Sequence, residues 1–288
     1  MKVSNMSEDK LNKKVKNYVS FSEIKQWKDC GWRHKLLYVD KIGTFEDSPH
    51  LHYGTIIHDA VENLLKNGTV DLNIVKEKIE KTWDDFGFDS NDFIILQENK
   101  ATLQGWKYKH NSSSEWIDWS NACLERLPNF LEENFPGYSL FNAEEQLFED
   151  IEFNHKKFKG FIDCILKVPT SKGDKYWIID WKTSSGRGWS RSKQQDISFT
   201  SQLVLYKHFW SKKHNIPLNK INCGFVLLKK VKKSEKTCQL IKVPTGPKTM
   251  ERSLKLMSSM LKTVEQQRYL KNRNSCMFCE FYNTMHCL

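Results

Sequence analysis

Asp163, Asp180 and Lys182 are the residues of this chain whose types and spacing best suit chemistry. Each aspartate interrupts an apolar run, Gly160-Phe-Ile-Asp-Cys-Ile-Leu166 and Tyr176-Trp-Ile-Ile-Asp-Trp-Lys-Thr183. An ionised carboxylate inside such a run is costly unless it is paired or binds a cation. Two of them beside a lysine suit a hard divalent ion held by carboxylate oxygens, with Lys182 reaching its water or a scissile phosphate. The competing reading is an aspartate–lysine ion pair that only pins two strands together.

The elements that must position these residues follow from the flanking pattern. Both runs are rich in Ile, Phe and Trp and are joined by a Pro/Thr/Ser/Lys/Gly/Asp linker, which predicts adjacent β-strands. Alternation puts Asp180 and Lys182 on one face and Trp177, Ile179 and Trp181 on the other, with Asp163 beside Phe161 and Ile165. An earlier strand over residues 143–148 carries Glu144 and Glu145, candidate further ligands or water-facing groups, and turns at Asn154 and His155. After Lys182 a polar loop over residues 184–196 offers Arg187, Arg191 and Lys193 to phosphates. An amphipathic helix over residues 200–210 follows, with Gln202 and Tyr206 one turn apart. Strands over 223–228 and 239–243 flank a basic turn of Lys229, Lys230, Lys232 and Lys233, and a long helix is expected over 247–269.

Upstream, Ser20 or Ser22 can cap a helix running from Glu23 to Tyr38. A loop over 43–49 leads to a second helix, opened by Thr55 and Ile56 and closed by Gly68. His58 lies one turn from both Gly54 and Glu62 there, where a lone histidine is more often a packing or surface group than a ligand. Residues 71–136 turn helical and aromatic, with Trp83, Trp106, Trp116 and Trp119. They read as a helical insert over the sheet, most tryptophans packing in the core and a minority stacking on bases of a single strand.

The chain has 288 residues, 39% hydrophobic and 28% charged, with a net charge of +10. That balance describes a core-forming protein with a polyanionic partner, nucleic acid first among candidates. No apolar run has the length of a membrane span and the lysine-rich start, residues 1–17, reads as a basic tail, so a cytoplasmic protein is expected. No Gly-x-x-x-x-Gly-Lys-Ser/Thr loop is present to hold a nucleotide. Eight cysteines in a chain of this kind point to metal or burial rather than disulfides. Cys276-Met-Phe-Cys279 with Cys287 close by has metal-binding spacing, its fourth ligand coming from elsewhere; such a site holds 4Fe-4S or zinc. Cys123, Cys164, Cys223 and Cys238 lie in apolar stretches and read as core.

Five pairs occur in an order that resembles the RecB-type branch of the PD-(D/E)XK nuclease superfamily: Gly54 with His58, Glu144 with Glu145, Gly160 with Asp163, Asp180 with Lys182, and Gln202 with Tyr206. The opening Ser20-Phe-Ser-Glu-Ile-Lys-Gln-Trp-Lys-Asp-Cys30 is similar to that branch as well. The resemblance implies an α/β, restriction-endonuclease-like fold, a central mixed sheet flanked by helices. One domain is expected over 18–288, with the helical insert at about 71–136 and a cysteine segment at 273–288. It implies that His58, Asp163 and Asp180 hold Mg²⁺ or Mn²⁺ with the Trp181 carbonyl as a further ligand. Lys182 then positions or activates the attacking water, and Gln202 and Tyr206 orient the site.

Iron–sulfur members of the branch, similar to AddB and to the CRISPR spacer-acquisition nuclease, imply that Cys30, Cys276, Cys279 and Cys287 hold a 4Fe-4S cluster joining the N- and C-terminal parts. Zinc is the alternative, and His286 could then replace Cys287. The implied activity is hydrolysis of DNA, exonucleolytic, on single-stranded or resected ends, in recombination, replication or DNA processing. The resemblance is to a stand-alone phage or mobile-element version in the host cytoplasm, a helicase or recombination protein supplying any unwinding. The rivals are a structure-selective endonuclease and a catalytically silent DNA-end-binding protein.

Overall fold

The computed structural model describes residues 16–43, 47–87, 95–96, 108–109 and 112–288. Strand β1 (Tyr18–Ser20) leads into helix α1 (Phe21–Asp29), capped by the Ser20 hydroxyl, which accepts from the Glu23 N–H at 3.4 Å. The single helix expected to Tyr38 is broken at Cys30, whose backbone is extended at φ −161° and ψ 113°. Helix α2 (Gly31–His34) and a π turn over Lys35–Val39 follow. The break has a packing cause: Leu270 backbone atoms lie 3.2 Å from where a Cβ on Gly31 would sit, and Trp32 N–H donates to the Leu270 carbonyl. A continuous helix would hold the C-terminal segment off.

Helix α3 (Pro49–Asn67) starts at Pro49, a residue suited to a first turn, rather than at Thr55, and ends at Gly68 with φ 73°. Helix α4 (Leu72–Asp85), the small ladder of β2 (Ile95–Leu96) and β3 (Tyr108–Lys109), and helix α5 (Ser113–Asn134) come next. Then follow β4 (Ser139–Asp150), β5 (Lys157–Val168), β6 (Lys175–Ser185), α6 (Arg191–Gln195) and α7 (Ile197–His214). The chain closes with β7 (Ile221–Lys230), β8 (Cys238–Lys242) and α8 (Pro247–Glu265). The loop expected over 184–196 therefore contains α6, and the last long helix stops at Glu265 rather than Tyr269. Trp106, residues 1–15 of the expected tail and 44–46 of the expected loop lie outside the described residues.

Six strands form one mixed sheet in the order β1-β5-β6-β7-β8, with β4 also paired to β5. β5 runs parallel to β1 at 157–159 and antiparallel to β6 at 164–168. Between those two ladders its residues 160–162 pair with β4 alone.

Two cores cover the sheet. One joins it to α1, α7 and α8 through Ile24, Phe158, Ile178, Phe209, Phe225 and Met257. The other joins it to α3, α4 and α5 through Ile57, Trp83, Trp116, Leu124, Ile179 and Trp181. Each such fully buried side chain contributes about 1.5–3 kcal/mol. Trp83, Trp116 and Trp119 are buried in the second core, which leaves them no face for a base. Helix α7 is not amphipathic as expected: Leu203, Val204, Leu205 and Tyr206 are buried in succession, because the sheet lies on one side of it and α1 and α8 on the other. Among the described residues no helix is long and apolar enough to cross a membrane.

Candidate active site

The register Cys164↔Ile179 sets Asp163 and Asp180 side by side on neighbouring strands. Asp163 Oδ2 accepts the Trp181 N–H at 2.8 Å. Asp180 is 1% exposed; its Oδ1 accepts from Gln202 Nε2 at 2.7 Å. Its Oδ2, also buried, meets the Lys182 ammonium as an ion pair. The same Gln202 amide donates to the Tyr206 hydroxyl at 3.3 Å, so α7 presents both residues to the site from consecutive turns. Gly160 explains how α7 comes so close: a Cβ there would stand 2.6 Å from Tyr206 Cε1.

From the other side α3 brings His58, its Nδ1 3.7 Å from Asp163 Oδ2 and its ring hydrogen-bonded to the Trp181 backbone. Glu144 completes a group. Ligand atoms of His58, Glu144 and Asp163 all lie within 4.8 Å of one another, the distance scale of a shared cation. Glu144 has φ 51°, uncommon for a residue with a side chain, and sits in β4 between the pairs Ala143↔Cys164 and Glu145↔Ile162. Its neighbour Glu145 faces the opposite way, because successive strand residues alternate. Glu145 is engaged there by Trp210 Nε1 at 3.1 Å, His214 Nε2 at 2.6 Å and Lys213 Nζ at 2.8 Å. It is a structural acceptor and does not join the ligand group, contrary to its place among the sequence candidates.

Electrostatics favour a cation. Burial, and then the Asp180 charge, push the Asp163 carboxyl well above the usual carboxylate range. Burial and the acidic neighbours Glu62 and Asp59 raise Glu144. Burial alone would lower Lys182, yet Asp180 and Asp163 hold it above its ordinary value, so it is a firm cation. Burial and the Lys182 charge lower His58, which keeps its imidazole neutral and free to ligate. With three convergent donors beside the Asp180–Lys182 pair, these residues fit a divalent ion.

An open cleft of about 550 Å³ reaches His58 and Glu144, lined also by His50, Gly54, Asp59 and Thr183. Of the expected phosphate contacts, Arg187 and Arg191 are exposed, while Lys193 lies over the rings of Trp189 and Phe199 at 4.5 and 4.9 Å. Lys230, read from sequence only as part of a basic turn, is boxed by Trp116 at 4.1 Å and Tyr53 at 4.6 Å, with His50 Nδ1 at 3.1 Å. Burial brings its ammonium down to about 8. Nothing local in the sequence signals it, since its cage comes from α3 and α5.

Cys30, Cys276, Cys279 and Cys287 line a single small cavity with Trp32, Arg33 and Leu36. The segment after α1 and the C-terminal segment meet around it. The Asp29 carbonyl accepts from Asn272 Nδ2 at 2.9 Å and Ser275 Oγ at 2.6 Å, Arg33 pairs with Glu280 at 2.7 Å, and Trp32 Nε1 donates to the His286 carbonyl at 2.9 Å. All eight cysteines are free thiols; Cys123, Cys164, Cys223 and Cys238 are buried, as expected.

A sequence profile of the PD-(D/E)XK nuclease superfamily matches residues 18–284. Among solved structures the chain is similar to a candidate exonuclease from Eubacterium rectale, with a TM-score of 0.53 and 11% identity over 98% of this chain and 95% of that one. No curated protein matches the sequence.

Proposed function

The chain belongs to the PD-(D/E)XK nuclease superfamily, and from that premise we propose that it is a metal-dependent deoxyribonuclease, an exonuclease acting on single-stranded or resected DNA ends. The observation that carries the reading is the convergence of His58, Glu144 and Asp163 beside the Asp180–Lys182 pair. Mg²⁺ or Mn²⁺ at these residues supplies Lewis acidity to the scissile phosphate and to the attacking water. An imidazole among the donors suits Mn²⁺ at least as well as Mg²⁺. Asp180 pairs with Lys182 and is oriented by Gln202, itself set by Tyr206. Lys182 orients the attacking water and puts positive charge where the phosphoryl oxygens gain negative charge in the transition state.

The finer assignments belong to the same proposal. The chain is of the RecB-type branch, a stand-alone phage or mobile-element version working in the host cytoplasm. Residues 18–288 form one domain, in which α4 and α5 serve as a covering layer for the sheet. A helicase or recombination partner supplies any opened strand. Cys30, Cys276, Cys279 and Cys287 hold a 4Fe-4S cluster. The four cysteines line one small cavity, which supports a shared thiolate site, with zinc the alternative to the cluster.

The test is digestion of end-labelled linear single-stranded DNA with Mn²⁺ or Mg²⁺, comparing wild type with Lys182→Ala. Cutting by the wild type alone is expected, and the labelled product gives the polarity. Cutting of a covalently closed circular single strand would instead make the enzyme an endonuclease. If the wild type cuts nothing with either ion, the DNA-end-binding reading takes over.

A further inference from the structure

Along β5, Phe158, Gly160 and Ile162 are buried towards α7, so positions 157, 159 and 161 lie on the opposite face of the strand. Register extends that face sideways: Phe148 stands opposite Lys159 on β4, and Tyr18 opposite Lys157 on β1. Phe161 is 46% exposed and Phe148 39%, large apolar rings left in water on one patch. Lysines interleave them. Lys159 Nζ is 4.9 Å from the Tyr18 ring and 5.7 Å from that of Phe161, Lys157 Nζ is 5.5 Å from the Phe148 ring, and Lys16 Nζ is 4.5 Å from that of Tyr18. Asp150 takes part of the Lys157 charge at 2.6 Å and Glu23 that of Lys16 at 2.5 Å, which leaves Lys159 as the central cation of the face. The row runs roughly 20 Å along β5 at about 3.3 Å per residue and ends at Asp163, two positions beyond Phe161.

We propose that this face, with Phe161, Phe148, Tyr18 and Lys159 at its centre, is the track along which single-stranded DNA is led to the candidate metal group. The proposal rests on the nuclease reading and adds the residues that select a single strand. Every base offers a π-face, so exposed rings bind a single strand without regard to sequence, and ammonium groups between them meet the phosphates. A duplex keeps its base faces stacked on one another and has none to give. The buried tryptophans cannot serve this way; the phenylalanines of the open sheet face can.

The experiment measures binding of a labelled oligothymidylate by anisotropy in EDTA, where nothing is cut, for wild type, Phe161→Ala, Phe148→Ala and Lys159→Met. Each ring removal is expected to weaken binding about tenfold, and Lys159→Met to reduce the slope of log affinity against log salt by about 0.7. Circular dichroism should be unchanged and cooperative melting retained in all three, since both rings are only half-buried. A duplex of equal length should bind more weakly to the wild type and be indifferent to the ring changes. Affinity unaltered by both ring substitutions, or lost equally for duplex and single strand, overturns the track. Wild-type protein that binds in this pattern but cuts no DNA with Mn²⁺ or Mg²⁺ sinks the nuclease reading instead, so the two failures are distinct.

Discussion

Asp163 carries a conflict that sets its behaviour. A carboxyl whose folded pKa is raised by burial and by Asp180 gives stability that is full below its unfolded pKa and is lost as pH rises through the folded value. Ionising Asp163 in the metal-free protein therefore costs stability. Asp163→Asn should melt at a higher temperature than wild type in EDTA, and Mn²⁺ should raise the melting point of the wild type but not of the variant. A variant that melts lower than wild type in EDTA would contradict that account of the site. Glu145 has the opposite sign. Its burial raises its pKa, but bonds from His214, Lys213 and Trp210 outweigh this and hold it low. Its contribution is present above the ordinary carboxylate pKa and fades as pH falls through the folded value. Glu145→Gln should cost about 1–3 kcal/mol at pH 7 in urea denaturation, with the gap to wild type closing in acid.

At the level of elements, the site exists because β5 changes neighbour. Its first residues pair with β1, its last with β6, and α7 closes on the interval between, where Gly160 lets Tyr206 approach. Gly160→Ala should destabilise by about 1–3 kcal/mol through overpacking. It should lower cleavage more than Tyr206→Phe does, because it displaces the whole turn that bears Gln202 as well as the ring. Equal activity of Gly160→Ala and wild type would show that α7 has slack at this crossing. The order of the longer strands and helices was legible from apolar runs, from Ser20 as a cap and from Gly68 as a terminator, whereas β1, the β2–β3 ladder and α6 were not. The break at Cys30 was not, since its cause is Leu270, remote in sequence. Nor was the start of α3, where Pro49 looked like loop and served as a first-turn residue.

For the molecule as a whole, the restriction-endonuclease-like sheet is held from both faces, and the segment after α1 meets the C-terminal segment at the cysteine cavity. If the four thiolates hold an iron–sulfur cluster there, Cys279→Ala should lose iron, brown colour and soluble yield, while whatever folded protein remains still cuts DNA. A colourless, iron-free and fully folded wild type would reject the cluster. Metal reconstitution followed by iron and zinc analysis separates the two ions.

The amino-acid order by itself determined which residues could do chemistry and roughly which elements carry them. Carboxylates inside apolar strands, an imidazole one turn from a glycine, and a Cys-x-x-Cys pair are local patterns, and local patterns survive without a fold. Only the tertiary structure decided between Glu144 and Glu145, because both sit on one strand and only the turned backbone at Glu144 shows which faces His58. It decided which aromatics are buried and which are free, turning Trp83 and Trp116 inward and leaving Phe148 and Phe161 in water. The physical reason is the same in each case. Burial, pKa and approach distance are set by neighbours far apart in sequence, and a chain read one segment at a time contains no term for them.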